Sequence, residues 1–195
     1  MVIDLAAVAS IVMMSATAPI EIVGAHAQGT FALADLTVPA DRLPDGCGLS
    51  PSPSIRIGDS QVRGGLWAGL PITRNPWIGT DRAIIASIHE RVIDPPPIPD
   101  GPPPTKNELA RFRLRLADGV EEAYVAVYAG GGPSLVTVNA LRYADASQLP
   151  SSPGSGRLRP GALRFTSGRT ALAVSGDDDA CLQAVVAHVR QVAGR

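Results

Sequence analysis

Histidines, cysteines and one acidic run are the residues of this chain best suited to chemistry, and their spacing decides which chemistry is open to them. Three histidines occur, His26, His89 and His188. His89-Glu90 begins as a zinc-binding helix would, but position 93 is Ile93 where a second imidazole is required. Each of His89 and His188 lies on the polar side of its helical stripe, so both are expected as solvated side chains. Asp177, Asp178 and Asp179 could attract calcium, yet three consecutive carboxylates do not converge as an alternating set does, and they read as the acidic start of a helix. Cys47 and Cys181 are the two cysteines. The first turn of that helix would favour a thiolate at Cys181, but the neighbouring aspartates oppose it, so a disulfide between the two is the expectation.

A serine nucleophile has one candidate. Gly58-Asp59-Ser60 follows the short apolar segment Ile55-Arg56-Ile57 and resembles the nucleophile block of the GDSL esterases, which implies attack of Ser60 on an ester carbonyl with His188 as the base. The resemblance covers three residues. That family carries an Asp-x-x-His pair, whereas Val185 stands three before His188, and no Asn is followed by Asp to supply the Gly-x-Asn-Asp oxyanion block. Without a base the hydroxyl is a weak nucleophile, so a turn is the preferred reading of Gly58 to Ser60.

Gly130 to Gly132 runs into Pro133 and a strand, so no helix N-terminus stands ready for a phosphate. Arg111, Arg113 and Arg115 form a basic stripe short of aromatic partners, and 17 basic residues against 18 acidic ones leave a net charge of −1; nucleic acid is not an expected partner. Trp67 and Trp77 bracket the Gly/Pro-rich segment 68–76. They are candidates for a sugar or peptide groove, with anchoring of the core as the competing role. No metal set and no cofactor loop is expected.

The elements that must position these residues follow from periodicity. Residues 28–79 read as a loop-rich lead-in with short strands at Phe31 to Val38 and Ser54 to Ile57. Thr80 offers an N-cap for a helix over 81–92 carrying Ile84, Ile85, Ile88 and Val92. The prolines of 94–104 stop it and form a stiff connection. Alternation over Arg111 to Leu116, then Asp118-Gly119, then Glu122 to Ala129 predicts a β-hairpin, with Arg115 opposite Glu122 and Arg113 opposite Tyr124. The competing pattern is a capping box from Thr105 and Glu108 that starts a helix. Strands are expected at Leu135 to Tyr143, Ala162 to Thr166 and Thr170 to Val174, and a final helix places Leu182, Val185, Val186, Val189 and Val192 on one stripe. The result is an α+β fold: an antiparallel sheet of about five strands with the C-terminal helix packed on it, in a domain over 80–195 behind the loop-rich region.

The first 27 residues set the compartment. Leu5 to Ala18 is uncharged, too short at roughly 20 Å for a bilayer core, and followed by Ala25-His26-Ala27 with small residues at −3 and −1. Asp4 stands where a basic n-region is usual. The expectation is a signal peptide over 1–27, an exported chain of about 168 residues, and no stable membrane anchor after cleavage. A Cys47–Cys181 bridge closing a loop of about 135 residues would then stabilise the fold by roughly 4 to 5 kcal/mol. Function is expected to be non-catalytic, either structural or binding a protein, peptide or glycan, with a small secreted serine hydrolase using Ser60 as the alternative.

Overall fold

A computed structural model of the chain describes residues 31–51, 55–57, 70–72, 74–93, 105–129, 134–149 and 163–194. The segment expected as a signal peptide, Ser60, Trp67 and the expected proline connection lie outside them. The chain begins with two 3-10 turns, Leu33–Leu36 and Ala40–Arg42, followed by strands β1 (Gly48–Leu49), β2 (Ile55–Ile57), β3 (Leu70–Ile72) and β4 (Trp77–Gly79). Helices α1 (Arg82–Val92) and α2 (Lys106–Arg115) precede β5 (Val120–Ala129) and β6 (Leu135–Tyr143), and β7 (Leu163–Ser167), β8 (Thr170–Gly176) and α3 (Asp179–Val192) complete the order.

Six strands form one antiparallel sheet in the order β1-β5-β6-β8-β7, with β4 also pairing β5; β2 and β3 make a separate two-stranded sheet. The fold is α+β, as the run of strands before an amphipathic C-terminal helix requires. Both faces of the large sheet are covered. Ala123, Val125, Val127, Leu141, Ala171 and Ala173 point toward α1, where Ile85, Ile88 and Val92 meet them. The alternate residues Tyr124, Ala126, Tyr128, Val136, Val138, Leu172 and Val174 face α3 and the first 3-10 turn, through Val185, Val189, Leu33 and Leu36. Burial on both sides accounts for the unbroken apolar character of residues 123–128.

Several expectations are corrected. Residues 111–115 are helical and Leu116 begins the turn that follows. Thr105 Oγ1 accepts from Glu108 N at 3.3 Å, and Glu108 Oε2 accepts from Thr105 N at 2.8 Å and from Thr105 Oγ1 at 2.7 Å, so the capping box nucleates α2 directly after the prolines. A strand there would also lack a partner, since the outer edge of β5 is taken by β1 and β4. The hairpin is instead β5–β6, in which Glu122 sits opposite Arg142 with an ion pair of 3.4 Å, and Tyr124 is buried. Asp118-Gly119 turns the chain from α2 into β5 with Gly119 at φ 78°. The cap of α1 is Asp81, whose Oδ1 accepts from Ala83 N and Ile84 N, and not Thr80. Within Phe31 to Val38 the segment Leu33–Leu36 forms a 3-10 turn, in which Asp35 reaches back to Ala32 N and Leu33 and Leu36, three residues apart, are both buried.

The C-terminal elements follow the periodicity closely. β7 and β8 are joined by Gly168 and Arg169, with Ser167 paired to Thr170 and Gly168 at φ 55°. A two-residue turn with glycine first is the type II′ hairpin, whose twist matches its strands. α3 is capped by Asp178, which accepts from Cys181 N at 2.9 Å.

Candidate functional site

The face beneath α3 is organised by the N-terminal arm, residues 31–47. Cys47 is bonded to Cys181 in the first turn of α3, with a Cα–Cα distance of 5.6 Å. Upstream of that bond Leu33, Leu36 and Val38 are buried against the sheet. Tyr128 Oη accepts from Val38 N at 2.9 Å, and Tyr124 Oη lies 3.0 Å from Thr37 Oγ1. Burial pushes both phenols above their ordinary range; for Tyr124 the neighbouring Tyr128 adds to the effect. Arg142 donates to the carbonyl of Phe31 while its guanidinium stands over that ring at 5.8 Å, and Arg42 donates to Gln191 on α3. His188 sits among these contacts. Its Nε2 is 2.9 Å from the Asp35 carbonyl, which can only accept, so Nε2 carries the proton and the buried Nδ1 is left without a partner.

The face beneath α1 holds a second set of buried polar groups. In the register of the sheet, Trp77, Val125, Asn139, Ala173 and Arg164 form one row across β4, β5, β6, β8 and β7. Asn139 is 1% exposed at the centre of that row and its Oδ1 has no hydrogen-bond partner. Arg164 Nε donates to the carbonyl of Arg91 in the last turn of α1. One register step away Thr137 and Ser175 pair through their hydroxyls at 3.0 Å. His89, on α1, is 7% exposed with Nδ1 unpartnered, and desolvation lowers its pKa from 6.5 to about 4. Tyr143, at the far end of β6, is buried with its hydroxyl unpartnered, and desolvation pushes it up to about 12.

Both histidines are therefore core residues, and the solvated placement expected for them is corrected. Each helix is sandwiched between the sheet and a second element, α2 beside α1 and the arm beside α3, so its buried arc is wider than the aliphatic stripe alone indicates. Neither imidazole's free nitrogen has a carboxylate or hydroxyl within hydrogen-bond distance among the described residues, so no acid–base relay forms there. His188 is directed to the arm and His89 to the opposite side of the sheet. Trp77 is 8% exposed and packs in the core with Ile84, Ile85 and Val125. Its groove partner Trp67 and the nucleophile candidate Ser60 lie outside the described residues. Asn139 and Tyr143 were not singled out by sequence; the available signal was a polar amide at the centre of the apolar run 136–141.

Among the described residues no group of three or more His, Cys, Asp or Glu is placed to hold a metal ion. No helix among them is long and apolar enough to cross a membrane. Comparison with known proteins adds no family: no family model, no curated protein and no solved structure matches this chain.

Proposed function

We propose that this chain is an exported, disulfide-braced domain that acts by binding a protein, peptide or glycan, or as a structural part, in the periplasm or outside the cell. The observation that carries the reading is the Cys47–Cys181 bond, which joins residues 134 apart and ties the arm to α3. Such bonds persist in oxidising compartments and are rare where thiols are kept reduced. The non-catalytic half of the reading is supported by the two imidazoles, each fixed in a packed core with no acid or hydroxyl among the described residues at its free nitrogen.

Two measurements test it. Fractionation of expressing cells with N-terminal sequencing should recover a chain that starts at Gln28 and lacks free thiols. A chain retained in the reducing cytosol would overturn the export half. Ester turnover measured on wild type and Ser60→Ala should be indistinguishable from background in both. Turnover that wild type shows and Ser60→Ala loses would instead establish the hydrolase reading.

A further inference from the structure

The two edges of the large sheet are treated differently. The outer side of β5 is closed from Ala123 to Ala129, by β4 opposite residues 123–125, by β1 opposite residues 128–129, and between them by the side chain of Asn75. That amide accepts from Val127 N at 3.0 Å and donates to Val127 O at 2.6 Å, taking the place of a peptide group where β1 and β4 leave a gap. At the opposite edge, β7 pairs with β8 and with no other strand among the described residues.

The hairpin geometry fixes what that edge presents. Ser167 and Thr170 flank a two-residue turn and so form a hydrogen-bonded pair; bonding then alternates, and Phe165 and Leu163 also bond inward to β8. Thr166 consequently turns its N–H and C=O away from β8. The usual guards of an open edge are missing from 163–167: the segment has no proline and no lysine, and its register with β8 has no bulge. Its one charge is drawn aside, because Arg164 reaches to the carbonyl of Arg91. Phe165 is only partly buried where it packs against the α3-side core.

We infer that β7 is a self-association edge, pairing antiparallel with β7 of a second copy of this chain so that Thr166 faces Thr166 across the two-fold axis. In this register the two threonines exchange a pair of N–H···O bonds, Phe165 lies beside Ser167 of the second copy, and Arg164 lies opposite Gly168. No like charges are opposed, and a threonine pair directly opposite is a favourable cross-strand contact. A C2 axis through one residue needs a surface that complements itself, and this segment does. The two six-stranded sheets then run on as one.

Sedimentation of the full, disulfide-intact chain tests the inference. Wild type should pass from monomer to dimer mass as its concentration rises. Thr166→Pro deletes the outward N–H and should weaken association by about tenfold or more, as the loss of two hydrogen bonds implies. Thr166→Lys, which leaves every bond to β8 in place, should do the same if the proline variant fails to fold. Thr166→Cys adds a specific readout: paired α-carbons about 5.5 Å apart suit a disulfide, so it should give a dimer on a non-reducing gel that Ser175→Cys does not. Wild type that stays monomeric at its highest soluble concentration, or Thr166→Cys that crosslinks no faster than Ser175→Cys, would overturn it.

Discussion

Asn75 stands opposite Val127 as a strand residue would, with Oδ1 accepting from Val127 N at 3.0 Å and Nδ2 donating to Val127 O at 2.6 Å. Nδ2 also donates to Ser50 O at 3.1 Å, and Ser50 N donates to Val127 O at 2.9 Å, so one amide joins three backbone groups where β1 and β4 fall short of each other. Asn75→Ala leaves Val127 N without a partner, while Val127 O keeps Ser50. The expected cost is about 2 kcal/mol in urea unfolding, with an unchanged slope. Asn75→Asp should cost at least as much, because it keeps the acceptor but sets a carboxylate against two carbonyls. A loss below about 0.5 kcal/mol in both would mean that the edge is held by β1 and β4 alone.

The bond between Cys47 and Cys181 constrains the unfolded chain over 134 residues. Replacing both by Ser should lower stability by about 4 to 5 kcal/mol on chain-entropy grounds, a large share of a typical domain total. Hydrogen exchange should locate part of the effect, with amides around Leu36 and Val38 losing protection before those of β5 and β6. An equal loss everywhere would make the arm part of a single cooperative unit with the sheet.

Much of this arrangement was legible in the sequence, for physical reasons that differ by element. β6, β7, β8 and α3 are each bounded by glycine, a turn or an acidic cap, so local chemistry and tertiary packing agree there. The segment 111–116 satisfied two periods at once, since Phe112 and Leu116 fit a helix as well as an alternating strand. What decided it was the Thr105–Glu108 capping box together with a non-local fact: β5 already had partners on both sides. Residues 123–128 are apolar on both faces, which conceals the alternation that marks a one-sided strand. The histidines were misplaced for a similar reason, because the second element packed against each helix is distant in sequence, and His188 meets Asp35 only after the arm has folded across the sheet.

Gly176 and Gly48 lie in strands but have different surroundings. A Cβ at Gly176 would stand 2.6 Å from Val136 Cγ2 and 2.9 Å from the Leu135 carbonyl oxygen, whereas nothing among the described residues lies within 4 Å of one at Gly48. Backbone cannot yield as a flexible side chain does. Gly176→Ala is expected to cost about 1 to 3 kcal/mol by forcing β6 and β8 apart, and Gly48→Ala to stay within about 0.5 kcal/mol of wild type. Thermal unfolding of the pair, run side by side, checks both. Equal midpoints would show that the β6–β8 register has slack at its end.

His89 should make stability depend on pH in a defined window. Its pKa is 6.5 when unfolded and about 4 in the fold, where burial disfavours the charged ring. Between those values the unfolded chain binds the extra proton, so this contribution is complete above pH 6.5, falls as pH drops below it, and is gone near pH 4. A shift of that size corresponds to about 3 kcal/mol. Carboxylates titrate in the lower part of the same range, so the diagnostic quantity is the difference from a variant without the ring. His89→Leu removes an unpaired buried nitrogen, and at pH 7 it should be as stable as wild type or more so. From pH 6.5 to pH 4.5 wild type should lose stability faster than the leucine variant, so that the two denaturation curves separate steadily as the pH falls. Curves that descend in parallel would mean that the folded protein accommodates the charged ring, and that His89 has a partner in solution which its Nδ1 lacks in this structure.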